Sequence, residues 1–349
     1  MKILITGNLG YIGSRLVKYY KEKYQDVYII GFDAAYFAHC ITSDGPIPEI
    51  YVDQQFYGDV RNFPEQILTG VDVVINLAAI SNDPMGYKFE AITNDINYIC
   101  AIQIAQYAIK YNIKNYVYAS SCSIYGAAEG ASKTEADILN PLTAYAKSKS
   151  DSEIALGKIV NHNMIITALR FSTACGMTDR LRLDLVLNDF VASAVINKKI
   201  DILSDGSPWR PLINVFDMCR AIDWAGFRKI DNGSRFLKIN IGSNSWNYQV
   251  KDLANAVSMI IPNVKIEIND KALPDKRSYK VDFSLFSSLA PDYLPIVTLE
   301  ETIKELKLGV ERFVNFDLDF RKSNLIRFNV LNTYINNNVF DKKMVQLKS

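Results

Sequence analysis

Short apolar runs alternate with longer amphipathic stretches through the first half of the chain. The apolar runs are rich in β-branched and aromatic residues, which predicts buried strands at residues 2–6, 27–32, 71–79, 115–119 and 164–171. Apolar residues recur at helical spacing between them, which predicts helices after residue 13, at 94–110 and after residue 143. Strands that alternate with helices in this way are typical of an α/β protein with a doubly wound parallel sheet.

The pattern loosens after residue 176. It predicts a helix at 181–197, a short strand at 199–203, a turn at 205–208, a strand and helix from 209, and short mixed elements at 240–314. The polar tail beyond residue 315 still carries several apolar residues, so we expect it to be ordered. We therefore predict a first domain of residues 1–171 to which 211–230 return, a smaller mixed α/β C-terminal domain of 172–210 and 231–314, and an appendage at 315–349.

Composition narrows the function classes. The 349 residues carry a net charge of +1, which disfavours a nucleic-acid or acidic-membrane partner. The sequence lacks the ~18 consecutive apolar residues of a membrane span and enters its first strand without a leader, so we expect a cytoplasmic protein. Five scattered cysteines and only two histidines offer no metal-ligand spacing, so no metal is expected.

A glycine-rich turn follows the first predicted strand. Its pattern is Gly-x-x-Gly-x-x-Gly from residue 7, and such glycines let a phosphate approach the backbone at a helix N-terminus. Asp33 ends the next strand about 20 residues later, where a carboxylate binds the ribose of a dinucleotide. Because this carboxylate repels a 2′-phosphate and the next arginine is Arg61, we expect NAD rather than NADP. The expected cofactor contacts in this Rossmann-like unit are Gly7, Leu9, Gly10, Tyr11, Ile12, Gly13 and Asp33.

Further cofactor contacts are expected at the ends of two later strands. Asp59 follows a short strand, from which it could reach an adenine amino group. The buried run 71–79 ends in small residues, on which a cofactor can press against the backbone. The expected contacts here are Asp59, Val60, Leu77, Ala78 and Ala79.

The candidate chemistry lies at the end of the strand at 115–119 and in the helix that follows it. A run of serines ends this strand, at the edge where open α/β sheets place their ligands. Tyr145 and Lys149 are four residues apart and therefore share one helical face. A lysine ammonium, together with a cationic cofactor ring, would bring the pKa of a tyrosine from ~10 towards neutral. Tyr145 is thus a candidate general base.

Taken in order, these motifs resemble the extended short-chain dehydrogenase/reductase family. The similarity to its nucleotide-sugar epimerase/dehydratase branch rests on the glycine turn, Asp33, Asp59, residues 76–79, Asn97, Ser121, Tyr145 and Lys149. It implies an NAD-binding first domain and a nucleotide-sugar-binding second domain. It also implies that Tyr145 is the base, that Lys149 holds the cofactor ribose and that Ser121 bonds the reacting oxygen. Asn97 would hold the active-site helix, and Asn97, Tyr145 and Lys149 are expected to contact the cofactor.

A narrower resemblance covers residues 169–188, 204–212 and 275–279, which are similar to bacterial surface-polysaccharide enzymes, among them GDP-heptose 4-dehydrogenases. It implies that Arg210 and Arg277 clamp the diphosphate of the substrate, which suits the bidentate fork of a guanidinium. For Arg182 a surface salt bridge is an open alternative. The expected substrate contacts are Ser81, Met85, Ser121, Ser123, Thr173, Arg182, Asn188, Arg210 and Arg277.

Two departures from the family pattern bear on the reaction. Family 4,6-dehydratases place an Asp-Glu acid–base pair directly after the position of Ser121, whereas this chain has Cys122 and Ser123. These side chains cannot supply the acid and base that elimination of water needs, which disfavours dehydration. Thr173 stands where many relatives have a phosphate-binding asparagine, which puts that diphosphate contact in doubt.

The resemblance and the motifs together predict NAD-dependent oxidation at C4 of a nucleotide-activated sugar, in surface polysaccharide biosynthesis. A 4-epimerase and a 4-dehydrogenase share this half-reaction, and the sequence does not separate them. The alternatives are a non-catalytic NAD-binding regulator and an NAD(P)H-dependent ketoreductase of a keto sugar or another small carbonyl compound. By resemblance, a homodimer that pairs through the helices at 94–110 and 145–161 is expected.

Overall fold

The computed structural model describes residues 1–81, 83–128, 130–160, 163–269, 271–272, 278–313 and 319–347. The strands are β1 (Lys2–Thr6), β2 (Tyr28–Asp33), β3 (Gln54–Tyr57), β4 (Val73–Asn76), β5 (Asn115–Ser121), β6 (Ile165–Phe171), β7 (Thr173–Cys175), β8 (Lys199–Ile202), β9 (Trp209–Asn214), β10 (Phe236–Ile241), β11 (Asn247–Gln249) and β12 (Lys265–Ile268). The helices are α1 (Tyr11–Lys23), α2 (Asp83–Lys88), α3 (Glu90–Asn94), α4 (Cys100–Lys110), α5 (Ala144–Ile159), α6 (Val186–Asn197), α7 (Val215–Phe227), α8 (Val250–Ile260), α9 (Ser284–Leu289), α10 (Leu299–Phe313) and α11 (Arg327–Asn336). Within these ranges no helix has both the length and the apolar composition that a membrane crossing requires.

Seven parallel strands form the large sheet, in the order β10-β6-β5-β4-β1-β2-β3. The direction of the connections reverses between β1 and β4, and the crevice outside the carboxyl ends of such strands is where doubly wound sheets bind ligands. Thr6 pairs with Asn76, and Asn76 pairs with Tyr118, so the ends of β1, β4 and β5 are aligned. The predicted doubly wound parallel sheet is confirmed.

Two smaller sheets, β11-β9-β7 and β12-β8, lie in the second half of the chain. The predicted domain division differs from them at two strands. β10 was assigned to the second domain, but it pairs with β6 in the large sheet, because its apolar residues Ile239 and Ile241 are buried there. Residues 211–214 were expected to return to the first domain, but they belong to β9, which pairs with β7 and β11.

The helix predicted at 181–197 begins only at Val186. The preceding residue, Leu185, has extended backbone angles of φ −101° and ψ 134°. The Leu183 amide donates a hydrogen bond to the Leu325 carbonyl over 3.0 Å, which removes it from any helical pairing. Long-range bonds therefore override the helical apolar spacing of residues 181–185.

The tail folds back onto the body of the protein. Phe320, Val330 and Leu331 are buried, and Leu331 belongs to the core on one face of the large sheet. The Tyr334 hydroxyl donates to the carbonyl of Tyr36 over 3.0 Å, so the tail is also bonded to the segment that follows β2.

Leu331→Ala should lower the free energy of unfolding by about 2–5 kcal/mol, because it opens a cavity in a core that the tail shares with the large sheet. Leu308→Ala on α10 is the matched control: Leu308 is 59% exposed, so the change should stay within about 0.5 kcal/mol. Urea denaturation followed by circular dichroism measures both variants. Equal stabilities would contradict a tail that belongs to the folded core.

Candidate active site

A large cavity opens at the carboxyl ends of β1, β4 and β5. Its volume is about 1230 Å³, which is larger than the ~300–1,000 Å³ of a pocket for one small ligand. The space therefore suits two ligands at once, as a cofactor and a substrate would require. The predicted residues that line the cavity are Gly7, Gly10, Tyr11, Ile12, Gly13, Asp33, Asp59, Val60, Leu77, Ala78, Ala79, Ser81, Ser121, Ser123, Tyr145, Lys149, Thr173, Arg182 and Arg210.

The glycine turn forms one wall of the cavity and leads directly into α1. Gly7 has a φ of +75°, and a Cβ atom there would lie 2.7 Å from the Ala78 amide nitrogen. Only glycine fits a backbone that is both left-handed and so closely packed. The Gly7 amide donates to the Phe32 carbonyl and Gly10 donates back to Gly7, which fixes the turn at the N-terminus of α1. This geometry favours a diphosphate group.

Asp33 stands at the end of β2 beside this turn. Its carboxylate accepts hydrogen bonds from the amides of Leu9, at 3.0 Å, and Ala35, at 2.7 Å, and it lines the cavity. Burial raises the pKa of this carboxyl, whereas the two amide bonds act in the opposite direction. An anchored carboxylate at this place fits the ribose hydroxyls of NAD, so the residues present fit a dinucleotide.

Asp59 also lines the cavity, but its carboxylate has a partner that sequence reasoning missed. Arg61 binds it with Nε at 2.9 Å and Nη2 at 2.5 Å, and this ion pair raises the pKa of the arginine. Arg61 donates further to the carbonyls of Lys343 and Met344 in the tail. The Asp59 carboxylate therefore already binds Arg61, which also holds the tail. The expected hydrogen bond from an adenine amino group to Asp59 would compete with this ion pair.

Tyr145 and Lys149 project from α5, whose first turn is capped by the Thr143 hydroxyl. Lys149 Nζ donates to the Ala119 carbonyl over 2.7 Å and lies 5.6 Å from the centre of the Tyr145 ring. It also lies 4.7 Å from the centre of the Tyr118 ring. Burial lowers the pKa of Lys149 to about 7, although the nearby Glu153 opposes this shift. The two predicted catalytic side chains are therefore neighbours at the cavity wall.

Glu153 is engaged by other groups behind the site. Arg170 donates to both of its carboxylate oxygens, and Ser120 Oγ donates to Glu153 Oε1 over 2.5 Å. Both members of this ion pair are almost completely buried. The pair joins β5, α5 and β6 at the level of the cavity.

The serines that end β5 face the cavity. Ser121 Oγ accepts a bond from the Ser123 amide over 3.2 Å, and the Ser123 hydroxyl has no hydrogen-bond partner among the described residues. Cys122, between them, is buried and donates to the Arg170 carbonyl. Burial raises the pKa of this thiol well above its usual range, so Cys122 is no nucleophile.

Asn97 connects the loop after β4 to α5 behind the cavity wall. It lies in a π-helical turn, Asp95–Ile99, and its side chain bonds both the amide and the carbonyl of Ile80, at 2.8 and 2.9 Å. Its amide also donates to Ser148 Oγ, on α5, over 3.1 Å. Asn97 was expected to contact the cofactor and to hold the active-site helix. It lies behind the cavity wall, where its bonds to Ile80 and Ser148 suit the holding role, and its contact with the cofactor stays a prediction.

Three further expected contacts do not line the cavity, because their side chains point into the protein. Leu9 is buried and contributes its amide to Asp33. Met85 is buried in the core. Asn188 is buried, where it accepts from the Gly176 amide and donates to the Arg182 carbonyl. Arg277 lies outside the described residues.

Several cavity residues were missed by sequence reasoning. The tail contributes Arg321, Ile326 and Arg327, and α6 and its leading segment contribute Asp184 and Asp189. Arg327 is buried, lies over the Phe37 ring and donates to the carbonyls of Arg180 and Leu181. The apolar tail residues indicated an ordered segment, but no signal in the sequence showed what it covers.

The fold, and the position of Tyr145 and Lys149 beside a dinucleotide turn, define a short-chain dehydrogenase/reductase of the extended type. The model of the NAD dependent epimerase/dehydratase family matches residues 3–242. The chain belongs to this family, and NAD is its cofactor.

Individual relatives agree with this assignment. Protein CapI of Staphylococcus aureus is 28% identical over 92% of this chain and its own full length. The structure of UDP-glucuronic acid 4-epimerase from Bacillus cereus, in complex with UDP-glucuronic acid and NAD, covers 90% of this chain and 100% of its own, with a TM-score of 0.75 and 22% identity. UDP-glucose-4-epimerase from Stenotrophomonas maltophila, with bound NAD, covers 91% of this chain and 100% of its own, with a TM-score of 0.78 and 18% identity.

The low pKa of Lys149 predicts a pH dependence of stability. The folded protein holds this proton with a pKa of about 7, whereas the usual value for lysine is 10.5, so folding carries a cost that is complete below pH 7 and fades as the pH rises towards 10. Relative to Lys149→Met, the wild-type protein without cofactor should gain about 2 kcal/mol of unfolding free energy between pH 7 and pH 9. Urea denaturation at both pH values measures this gain. A constant difference between the two proteins would contradict it.

Proposed function

We propose that the protein oxidises the C4 hydroxyl of a nucleotide-activated sugar with NAD, as a 4-epimerase or a 4-dehydrogenase. The observation that carries this proposal is the position of Tyr145, Lys149 and Ser121 on one cavity that has room for both cofactor and substrate. Arg210 lines the same cavity and offers a guanidinium for a diphosphate. The resemblance of residues 169–188 to surface-polysaccharide enzymes supports a role in the synthesis of such polymers.

Tyr145, Lys149 and Ser121 each have a separate role in the proposed oxidation. NAD, when bound, supplies the hydride acceptor. Tyr145 accepts the hydroxyl proton, and the ammonium of the adjacent Lys149 stabilises the phenolate form that this requires. Ser121 donates a hydrogen bond to the substrate oxygen as negative charge develops on it. Burial of Lys149 beside the tyrosine keeps water from screening this interaction.

Dehydration is disfavoured by the residues next to Ser121. Cys122 is buried and bonded to a backbone carbonyl, and Ser123 carries only a hydroxyl. Neither side chain serves as acid or base for the loss of water. The solved relatives named above are 4-epimerases, and this supports epimerisation as the first outcome to test and release of the keto sugar as the second.

A proton NMR time course tests the reaction directly. The purified protein is incubated with UDP-, GDP-, CDP- and dTDP-hexoses and with GDP-heptose, with and without NAD. A new anomeric signal without net NADH identifies a 4-epimerase, and a keto product that appears in step with NADH identifies a dehydrogenase. Oxidation of NAD(P)H by a keto sugar would favour the ketoreductase alternative. No change with any sugar would contradict the proposal and favour a non-catalytic NAD-binding regulator.

Tyr145→Phe should lower kcat by about 10²–10⁴-fold, because it removes the group that takes the proton. Its affinity for NAD should stay within about twofold, since the ring and Lys149 remain. Tyr87→Phe is the control: Tyr87 is 90% exposed, and its loss of a hydroxyl should change neither quantity. Turnover that survives in Tyr145→Phe would exclude this residue as the base.

Arg210→Ala should weaken binding of the nucleotide sugar by about 10-fold or more, because it removes a charge-assisted contact to the diphosphate. Binding of NAD should be nearly unchanged. Arg312→Ala, at a side chain that is 65% exposed on α10, is the matched control and should affect neither ligand. Isothermal titration calorimetry measures both ligands. Equal losses for sugar nucleotide and NAD would refute the assignment of Arg210.

A further inference from the structure

The tail, described over residues 319–347, packs on the part of the cavity that surrounds Asp33 and Asp59. Tyr36 and Phe37 follow Asp33 closely in sequence and line the cavity with it. The Tyr36 hydroxyl lies 3.5 Å from Asp59 Oδ2, so the two acidic residues belong to one region. Because Asp33 fits the ribose next to the adenine of a dinucleotide, we call Asp33, Tyr36, Phe37 and Asp59 the adenosine end of the cavity.

Tyr36 is bound to the tail through its ring, its hydroxyl and its backbone. The hydroxyl donates to the Met344 carbonyl over 3.2 Å, and the Tyr36 carbonyl accepts from the Tyr334 hydroxyl over 3.0 Å. The Phe340 ring packs edge-on against Tyr36 and Tyr334, with ring centres 5.2 and 5.5 Å away. The position of this cavity residue therefore depends on three tail side chains or carbonyls.

Arg61 makes a second connection between the adenosine end and the tail. It pairs with the Asp59 carboxylate and donates to the carbonyls of Lys343, at 2.7 Å, and Met344, at 2.9 Å. The Met344 side chain is itself buried in the core on one face of the large sheet. One guanidinium thus holds both Asp59 and the anchored end of the tail.

The middle of the tail reaches the cavity directly. Ile326 and Arg327 line it, and the buried Arg327 lies 5.2 Å from the centre of the Phe37 ring. Burial lowers the pKa of Arg327 to about 10, so its charged form is stabilised by an anion in the cavity. The tail therefore contributes a cation to a cavity whose cofactor carries two phosphates.

We propose that the tail is part of the NAD site: it forms the outer wall of the adenosine end, and release of NAD requires this wall to detach from Tyr36 and Arg61. The family model matches residues 3–242 and does not include the tail. Because linkage is reciprocal, a wall that retains NAD must itself be held in place more firmly when NAD is bound. The proposal concerns the cofactor and goes beyond the proposed function, since it holds for any sugar.

Hydrogen exchange of the parent protein tests this linkage without a substitution. The Val339 amide is bonded to the Tyr334 carbonyl over 2.9 Å, and the Leu347 amide to the Val339 carbonyl over 3.0 Å, so these amides report whether the tail is docked. Saturating NAD should slow exchange in peptides from 334–347 by about 10-fold or more. Helix α9, none of whose residues lines the cavity, is the internal control and should exchange at the same rate with and without NAD.

Phe340→Ala should raise the dissociation rate of NAD by about 10-fold or more, because it removes the ring that packs on Tyr36 without removing an atom of the cavity lining. Phe227→Ala is the matched control. Its ring also packs against two tyrosines, Tyr20 and Tyr24, and none of these three residues lines the cavity, so the rate should stay within about twofold. Displacement of labelled NAD by an excess of unlabelled NAD measures both rates.

Two results would overturn the inference: exchange in the tail that NAD leaves unchanged, or release of NAD from Phe340→Ala at the parent rate. In either case NAD still binds, and the proposed oxidation at C4 stands. A tail that responds to NAD in a protein that converts no nucleotide sugar would contradict the proposed function and support the role of the tail.

Discussion

Parallel pairing of β1, β4 and β5 is the constraint on which the site depends. Because Thr6, Asn76 and Tyr118 are in register, the residues that follow each strand emerge at one edge of the sheet. The glycine turn, the small residues after β4 and the serines that end β5 therefore meet there. The Thr6 hydroxyl also donates to Asn76 Oδ1 over 2.7 Å, which ties the ends of β1 and β4 together. Asn97 then fixes α5 to the loop after β4, so the helix that carries Tyr145 takes its position from the same edge.

The two buried cations at this edge of the sheet, Arg170 and Lys149, differ in how well a carboxylate balances their charge. Arg170 is matched by Glu153, through bonds to both carboxylate oxygens. Lys149 Nζ contacts a carbonyl and two aromatic rings, and burial outweighs the attraction of the nearby Glu153, so its charge is held at a cost that its lowered pKa reflects. The charged form of a buried lysine is stabilised by an anion that forms beside it. The phenolate of Tyr145, whose ring lies 5.6 Å from Lys149 Nζ, is such an anion.

The predictable part of the site was the part built from local units. The glycine turn, Asp33 and the Tyr145–Lys149 pair lie within single strand–turn–helix segments, where spacing alone determines which face a residue occupies. Asn188 and Met85 are buried away from the cavity, because nearness in sequence to a site does not determine which way a side chain points. Arg182 and Asp184 form a bidentate ion pair, with Nε 2.9 Å from Oδ1 and Nη2 3.0 Å from Oδ2. The helix predicted at 181–197 did not indicate this pair, since residues two apart diverge on a helix but share one side of an extended chain.

The tail gives the cavity a wall that is distant in sequence. Tyr334 reaches Tyr36 across 298 residues, and Tyr36 reaches Met344 across 308. Contacts of such separation carry a large loop-closure entropy and form late in folding, whereas the glycine turn forms from neighbours. The glycine turn should therefore form before the tail packs against Tyr36 and the Asp59–Arg61 pair. The expected order of assembly is thus that the cavity gains its outer wall near Asp59 only after the edge of the sheet has formed.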